Sequence, residues 1–242
     1  MASSADQVAE DAFERVVGRR RTVLIALLAW LPVLLGILVR VGGGRPDASQ
    51  ILDALVIRTV CPLVALVVGT GVIGSEIEDG TLIFQLVKPV PRWLTAAAKA
   101  LVAAFLTAIL IVPPVAVTGL LLGGLGPESI QTSVGFAVAT LIGGTAYAVG
   151  FTALGVITSR ALIVGLGYTL IWEGILAGIL EGTRFLSVRQ ATLGVASTLT
   201  GRDVGSDPLG IGVSIVILAA VIVGGFGVTS ARLRRFQLRT AD

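Results

Sequence analysis

Residues 74–92 read Gly-Ser-Glu-Ile-Glu-Asp-Gly-Thr-Leu-Ile-Phe-Gln-Leu-Val-Lys-Pro-Val-Pro-Arg, a polar cassette wedged between two long apolar runs. Gly80 lets the chain turn, and Thr81 is placed to cap the N–H groups that follow it. Residues 82–87 then make about one and a half helical turns before Pro89 stops them. A helix that short is not stable alone. The acids Glu76, Glu78 and Asp79 precede it and Lys88 and Arg92 follow it, so the charges complement the helix dipole at both ends. Leu82, Ile83, Phe84, Leu86 and Val87 form an apolar surface too large for a free loop. The cassette therefore reads as a docking element that a partner covers.

Working outward, the flanking runs define the fold class. Of 242 residues, 55% are hydrophobic and 14% charged, an apolar share above the globular norm, and several uncharged runs approach bilayer length. The expected fold is an all-α integral membrane protein with six transmembrane helices at 22–41, 51–74, 94–122, 133–157, 161–180 and 209–228. Pro32, Pro62 and the pair Pro113 and Pro114 interrupt three of these spans. Residues 1–21 read as an amphipathic interfacial helix, because Val8, Ala12, Phe13, Val16 and Val17 recur at helical spacing opposite acids. Residues 229–242 form a basic tail. In the 181–208 connection Ser187 and Gln190 have capping-box spacing, and Val188, Thr192, Val195, Ala196 and Leu199 share a face. That pattern predicts a short outer or re-entrant helix.

Basic residues set the expected orientation. Arg15, Arg19, Arg20, Arg21, Lys88, Arg92, Lys99, Arg160, Arg232, Arg234, Arg235 and Arg239 fall on one side of the six spans. Arg40, Arg45, Arg184, Arg189 and Arg202 fall on the other, mostly in longer connections where acids offset them. The bias places both termini and the cassette on the cytoplasmic side of the cell membrane, with Lys99 snorkelling toward the headgroups. The pI of about 9.6 follows from these flanks, since no basic stripe is interleaved with aromatics as a nucleic-acid surface would require.

The chemistry that the sequence excludes is equally informative. The chain has no histidine, which removes the common zinc motifs and any Ser-His or Cys-His nucleophile pair. It has no phosphate-cradling Gly-x-x-x-x-Gly-Lys-Ser/Thr, and its lone Cys61 cannot build a disulfide framework within one chain. No cofactor or metal site is expected, and the chain does not read as an enzyme.

The pattern Glu76-x-Glu78-x-Gly80-Thr81, with Leu82, Leu86, Pro89, Arg92 and Lys99 after it, resembles the segment following the second helix in permeases of the ABC-2 type exporter family. The motif covers about a tenth of the chain, residues 76–99; the six-span layout and interfacial N-terminal helix extend the likeness. Pro91 makes this version stiffer than the family pattern. The resemblance implies a coupling helix built from Glu76, Glu78, Asp79, Gly80, Thr81, Leu82, Phe84, Leu86, Pro89 and Arg92 that rests on a separate cytoplasmic ATPase subunit. It further implies ATP and Mg in that partner, and a second permease subunit, identical or paralogous, around a shared path.

Two charges lie inside the expected spans at similar depth: Arg58 about 10 Å from the outer end of the second, and Glu173 about 18 Å into the fifth. Pairing, or a shared wet cavity, would lower their cost of insertion. The resemblance implies that helices two and five line the translocation path, which makes Arg58 and Glu173 candidates for a pathway or gate. A structural ion pair, or Arg58 snorkelling outward with Glu173 protonated, accounts for the same residues. Gly174, Gly178 and Gly182 recur every four residues, as do Ala146 and Gly150, and allow close helix contacts. Against the exporter stand two other classes: a secondary transporter, which would show repeated halves and broken polar helices, and a non-transporting membrane scaffold.

Overall fold

The computed structural model of the chain describes residues 19–44, 47–78, 92–176, 185–205 and 208–235. All regular structure among them is helical. Helix α1 is Arg19–Val41; α2 runs Ala48–Ile51, widens to a π-helix over Leu52–Val60 and continues as Cys61–Glu78. Then follow α3 (Arg92–Gly123), α4 (Pro127–Ile157), and α5, which is α-helical over Ala161–Gly167 and π-helical over Tyr168–Leu176. Helices α6 (Val188–Thr200) and α7 (Ile211–Arg235) complete the bundle.

Five of these helices are long and apolar enough to cross a membrane: Val23–Val41, Ala48–Val72, Trp93–Gly123, Pro127–Ile157 and Ile211–Arg234. They mark a multi-pass membrane protein. The segment expected as the fifth of six spans is present as the shorter apolar helix Ala161–Gly174, and positions 177–180 of that span lie outside the described residues. Residues 1–18 of the expected interfacial helix, and 236–242 of the basic tail, also lie outside them. The part of the tail that is described, 229–235, belongs to α7.

Helix α4 is the hub, packed against α2, α3, α6 and α7. Its spanning window is 61% buried within the chain, against 17% for α7, so α7 turns most of its surface outward. In hydrocarbon the hydrophobic effect gives little reason for helices to associate; close approach and dispersion contacts do the work, and small residues permit them. At Gly69 an added Cβ would stand 2.7 Å from the Ala148 carbonyl oxygen, so the α2–α4 crossing requires glycine there. At Gly150 the approach is looser. Gly150 meets Val221 at an ordinary 3.6 Å, and both residues line a cavity.

Helices α2, α3 and α4 alternate in direction. Thr70 near the end of α2 meets Gly155 near the end of α4, whereas Gly119 and Gly123 at the end of α3 meet Ser133 and Ser129 at the start of α4. The end of α2 at Glu78 and the start of α3 at Arg92 thus lie at the same end of the bundle as the short α4–α5 link.

Lys99 does not snorkel. It is fully buried on the inward face of α3 that also carries the buried Ala96, Ala100 and Ala103. Alanines on either side leave room for its long stem inside the bundle.

Candidate functional site

The two π-helical stretches lie in the helices that carry the intramembrane charges. In α2 the widening ends just before Pro62, whose ring has no N–H to donate and collides with the carbonyl of the residue four earlier, Arg58. Thr59 marks the altered register by donating its hydroxyl to the Ala54 carbonyl five residues back, at 3.1 Å.

The structure brings Arg58 and Glu173 to adjacent positions without pairing them. Arg58 is exposed and its Nη2 donates to the Gly174 carbonyl oxygen at 2.8 Å. Among the described residues no ion pair joins it to Glu173. Gly174 therefore meets α2 through its carbonyl, while the nearest atom to an added Cβ there is the Thr169 carbonyl oxygen of its own helix, at 3.6 Å. Gly178 and Gly182 lie outside the described residues.

Glu173 is 1% exposed and its carboxylate works as a helix cap. Oε1 accepts from the Tyr168 hydroxyl at 2.9 Å and from the Val188 N–H at 3.0 Å; Oε2 accepts from the Ser187 hydroxyl at 2.5 Å. Ser187, in extended conformation, is the N-cap of α6, and its Oγ accepts from the Gln190 N–H at 3.1 Å. The sequence-predicted cap at Ser187 is thus present, with a buried carboxylate added behind it. A negative charge at this position meets the positive end of the helix dipole as well as orphan N–H groups.

The course of α6 is that of a re-entrant helix. Val188 and Tyr147 border one cavity, Thr192 packs on Gly143, Leu199 and Thr200 pack on Gly135, and Gln131 Nε2 donates to the Leu199 carbonyl oxygen at 3.2 Å. Helix α6 therefore runs antiparallel along α4 from the middle of that helix to its first turns. Tyr147 lies about 30 Å along α4 from Pro127, so α6 begins deep in the bundle.

Two further ion pairs hold this helix. Arg189 Nη2 donates to Asp53 Oδ1 at 3.2 Å and Oδ2 at 3.3 Å, tying the first turn of α6 to the π-helical start of α2. At the other end Arg202 Nη2 donates to Glu128 Oε2 at 2.6 Å. A cation in the first turn of a helix opposes its dipole, and Asp53 offsets that cost for Arg189. Charge counting places Arg189 on the outer side, on the expected outer or re-entrant helix; folding of 185–200 back into the bundle buries it, to 8% exposure. Neither Asp53 nor its pairing with Arg189 is marked by spacing, since 136 residues separate them. The one available signal was the capping box that starts a helix one residue before Arg189.

Of the residues expected to contact an ATPase, Glu76 and Glu78 lie in the last turns of α2 and Arg92 opens α3. Asp79, Gly80, Thr81, Leu82, Phe84, Leu86 and Pro89 lie outside the described residues. Among the described residues no group of three or more Cys, Asp or Glu is placed to hold a metal ion. Both oxygens of Glu173 are engaged as acceptors, so the arrangement is suited to joining α5 to α6, with Asp53 and Arg189 joining α6 to α2. In comparison with known proteins, the chain matches no protein-family model and has no significant match among curated proteins.

Proposed function

We propose that the chain is a permease subunit of an ABC-2 type ATP-binding cassette exporter. The reading rests on the motif Glu76-x-Glu78-x-Gly80-Thr81 with its apolar Leu82, Phe84 and Leu86 and its closing Pro89 and Arg92. The cassette falls in sequence between the described membrane helices α2, which ends at Glu78, and α3, which starts at Arg92, in keeping with this reading. In this reading the chain has six spans, lies in the cell membrane with both termini cytoplasmic, and pairs with a second permease. A separate ATPase subunit supplies ATP and Mg. ATP binding closes the ATPases, residues 81–87 transmit the motion, and the spans change access because nucleotide has different affinities for the two states. Arg58 and Glu173 act in the switch through the α2–α5–α6 joint.

Affinity purification of the tagged chain from its native membrane in mild detergent, with an ATP hydrolysis assay, tests this. A stoichiometric ATPase co-purifies with the wild type, and Phe84→Ala with Leu86→Ala loses it while still inserting in the membrane. Recovery of the chain alone, without hydrolysis, sinks the exporter reading. A secondary transporter is then favoured by one specific observation: α6 starts in the bundle interior with its N-terminus turned toward a buried acid, the kind of broken helix that such carriers use.

A further inference from the structure

Arg58 ends an open strip on α2. Within the span Ala48–Val72 the exposed residues are Gln50, Ala54, Arg58 and Thr59, and from Val60 to Val72 no residue is exposed. The strip therefore runs from the start of α2 and stops at a guanidinium. One turn before the Gly174 carbonyl that this guanidinium holds, Leu170 and Ile171 of α5 are 56% and 58% exposed. A polar approach, a cation and bare aliphatic side chains thus follow one another along the α2–α5 seam.

The cation lacks a counter-charge. A guanidinium carries several N–H donors in a rigid fork, and among the described residues Arg58 uses one, from Nη2 to the Gly174 carbonyl at 2.8 Å. Asp53, about one π-turn earlier on α2, is turned to Arg189, and both oxygens of Glu173 are taken by Tyr168, Ser187 and Val188. The remaining acid of the described spans, Glu128, sits in the first turn of α4 on Arg202. A second copy of the chain brings the same engaged acids, so it does not supply the missing charge. Charged residues inside membrane helices are costly and pair with something.

We infer that Arg58 binds the anionic head, a phosphate or a carboxylate, of an amphiphile drawn from the bilayer into the α2–α5 seam. The free edge of the guanidinium grips such a head in bidentate fashion, while the tail lies along Ile171 and Leu170. The tail separates this ligand from a free ion: one arginine beside aliphatic side chains does not offset the dehydration of a small anion, whereas a tail that stays in hydrocarbon keeps its head at the site. A cationic head is repelled. The bound amphiphile touches α2 and α5 together and so reinforces the Arg58–Gly174 contact. Binding here is independent of whether an ATPase partners the chain.

The test uses the full chain in dodecyl maltoside, an uncharged detergent without phosphate, and a dodecyl phosphate that carries a photoactivatable diazirine at mid-chain. Cross-links map to 54–59 and 167–174, and unlabelled dodecyl phosphate competes at least about tenfold better than dodecyltrimethylammonium or inorganic phosphate, the effect of one hydrogen bond to a charged group. Arg58→Gln weakens probe binding by at least about tenfold. Arg58→Lys weakens it less, because the ammonium keeps the charge and loses the fork. Equal competition by dodecyl phosphate and dodecyltrimethylammonium in the wild-type chain overturns the proposal without reliance on any variant. Inorganic phosphate that competes as well as dodecyl phosphate overturns it in favour of a free ion. Labelling that is absent when another polypeptide co-purifies with the chain, and returns when that polypeptide is stripped away, gives Arg58 to a partner's carboxylate and overturns it as well.

Discussion

Helix α6 is held at both ends by carboxylates, and the two ends differ in what surrounds them. At its start the Arg189–Asp53 side chains are 9% and 16% exposed, and Glu173 beside them is buried; at its finish the Arg202–Glu128 side chains are 48% and 84% exposed. The exposed pair has the shorter contact, 2.6 Å against 3.2 Å. Distance alone would rank it stronger. Environment reverses the order: in the open, solvent screens the attraction and each long side chain loses entropy on being fixed. In the interior, removing one partner leaves the other charged or polar group stranded in a low dielectric. The start of α6 is therefore an anchor and its finish a tether.

The largest effect that this comparison predicts is at Glu173. Glu173→Ala strands the Val188 N–H, the Ser187 and Tyr168 hydroxyls and the dipole of α6 together, and is expected to destabilise the protein by about 3–5 kcal/mol. Thermal unfolding in detergent, read against the wild type, measures this. Loss below about 1 kcal/mol would mean that water reaches the cap. The same geometry predicts that a charge swap of Arg58 and Glu173 does not rescue: an arginine at 173 would point a cation at the α6 N-terminus, while Arg58 already has its partner in the Gly174 carbonyl. Recovery of stability in the swap would show that the two charges pair directly in the folded membrane protein.

Next in size is Asp53→Ala, expected to cost about 3 kcal/mol because Arg189 then stays buried in the first turn of α6 without a counter-charge. Adding Arg189→Met should recover most of that loss, since an apolar pair of similar volume replaces an ion pair at little net cost. A double variant as unstable as the single one would assign Arg189 a further role, for which its buried Nε, unpartnered among the described residues, is the available group. Ser187→Ala ranks below both, at about 1 kcal/mol, the usual value of an N-cap, with Glu173 still serving the Val188 N–H.

How much of this was legible in the sequence follows from which interactions are local. The helices, the Ser187 cap and the oddity of Glu173 within an apolar run are carried by neighbours three or four residues apart, and periodicity exposes them. The breaks in α2 and α5 were half legible: Pro62 announces a lost hydrogen bond, but nothing in residues 168–176 announces a second π-helix. The site itself depends on the chain turning inward after α5, and charge counting assumes that connections stay outside. That assumption places Arg189 in the wrong environment, and no pattern in the sequence points to Asp53 as its partner. Lys99 failed for a related reason. A lysine near a helix end is expected to reach for water, yet alanines at 96, 100 and 103 leave the helix face hollow enough to hold it inside.

The smallest predicted effect is the one that tests the comparison most directly. Glu128→Ala, Arg202→Ala and their double variant form a cycle whose coupling energy should fall below about 1 kcal/mol at moderate salt and shrink as salt is raised. The tether has a neutral companion in the Gln131 Nε2 to Leu199 carbonyl bond, and Gly201 turns the chain in a left-handed conformation with φ of 66°, so the C-terminal end of α6 has support when the ion pair is gone. If the coupling instead reached the size of the Asp53–Arg189 loss and ignored salt, the two ends would share one environment. The Glu128–Arg202 end would then have to be sheltered by something other than this chain, and a second copy or another subunit seated over residues 128–131 and 199–202 would become the object to look for.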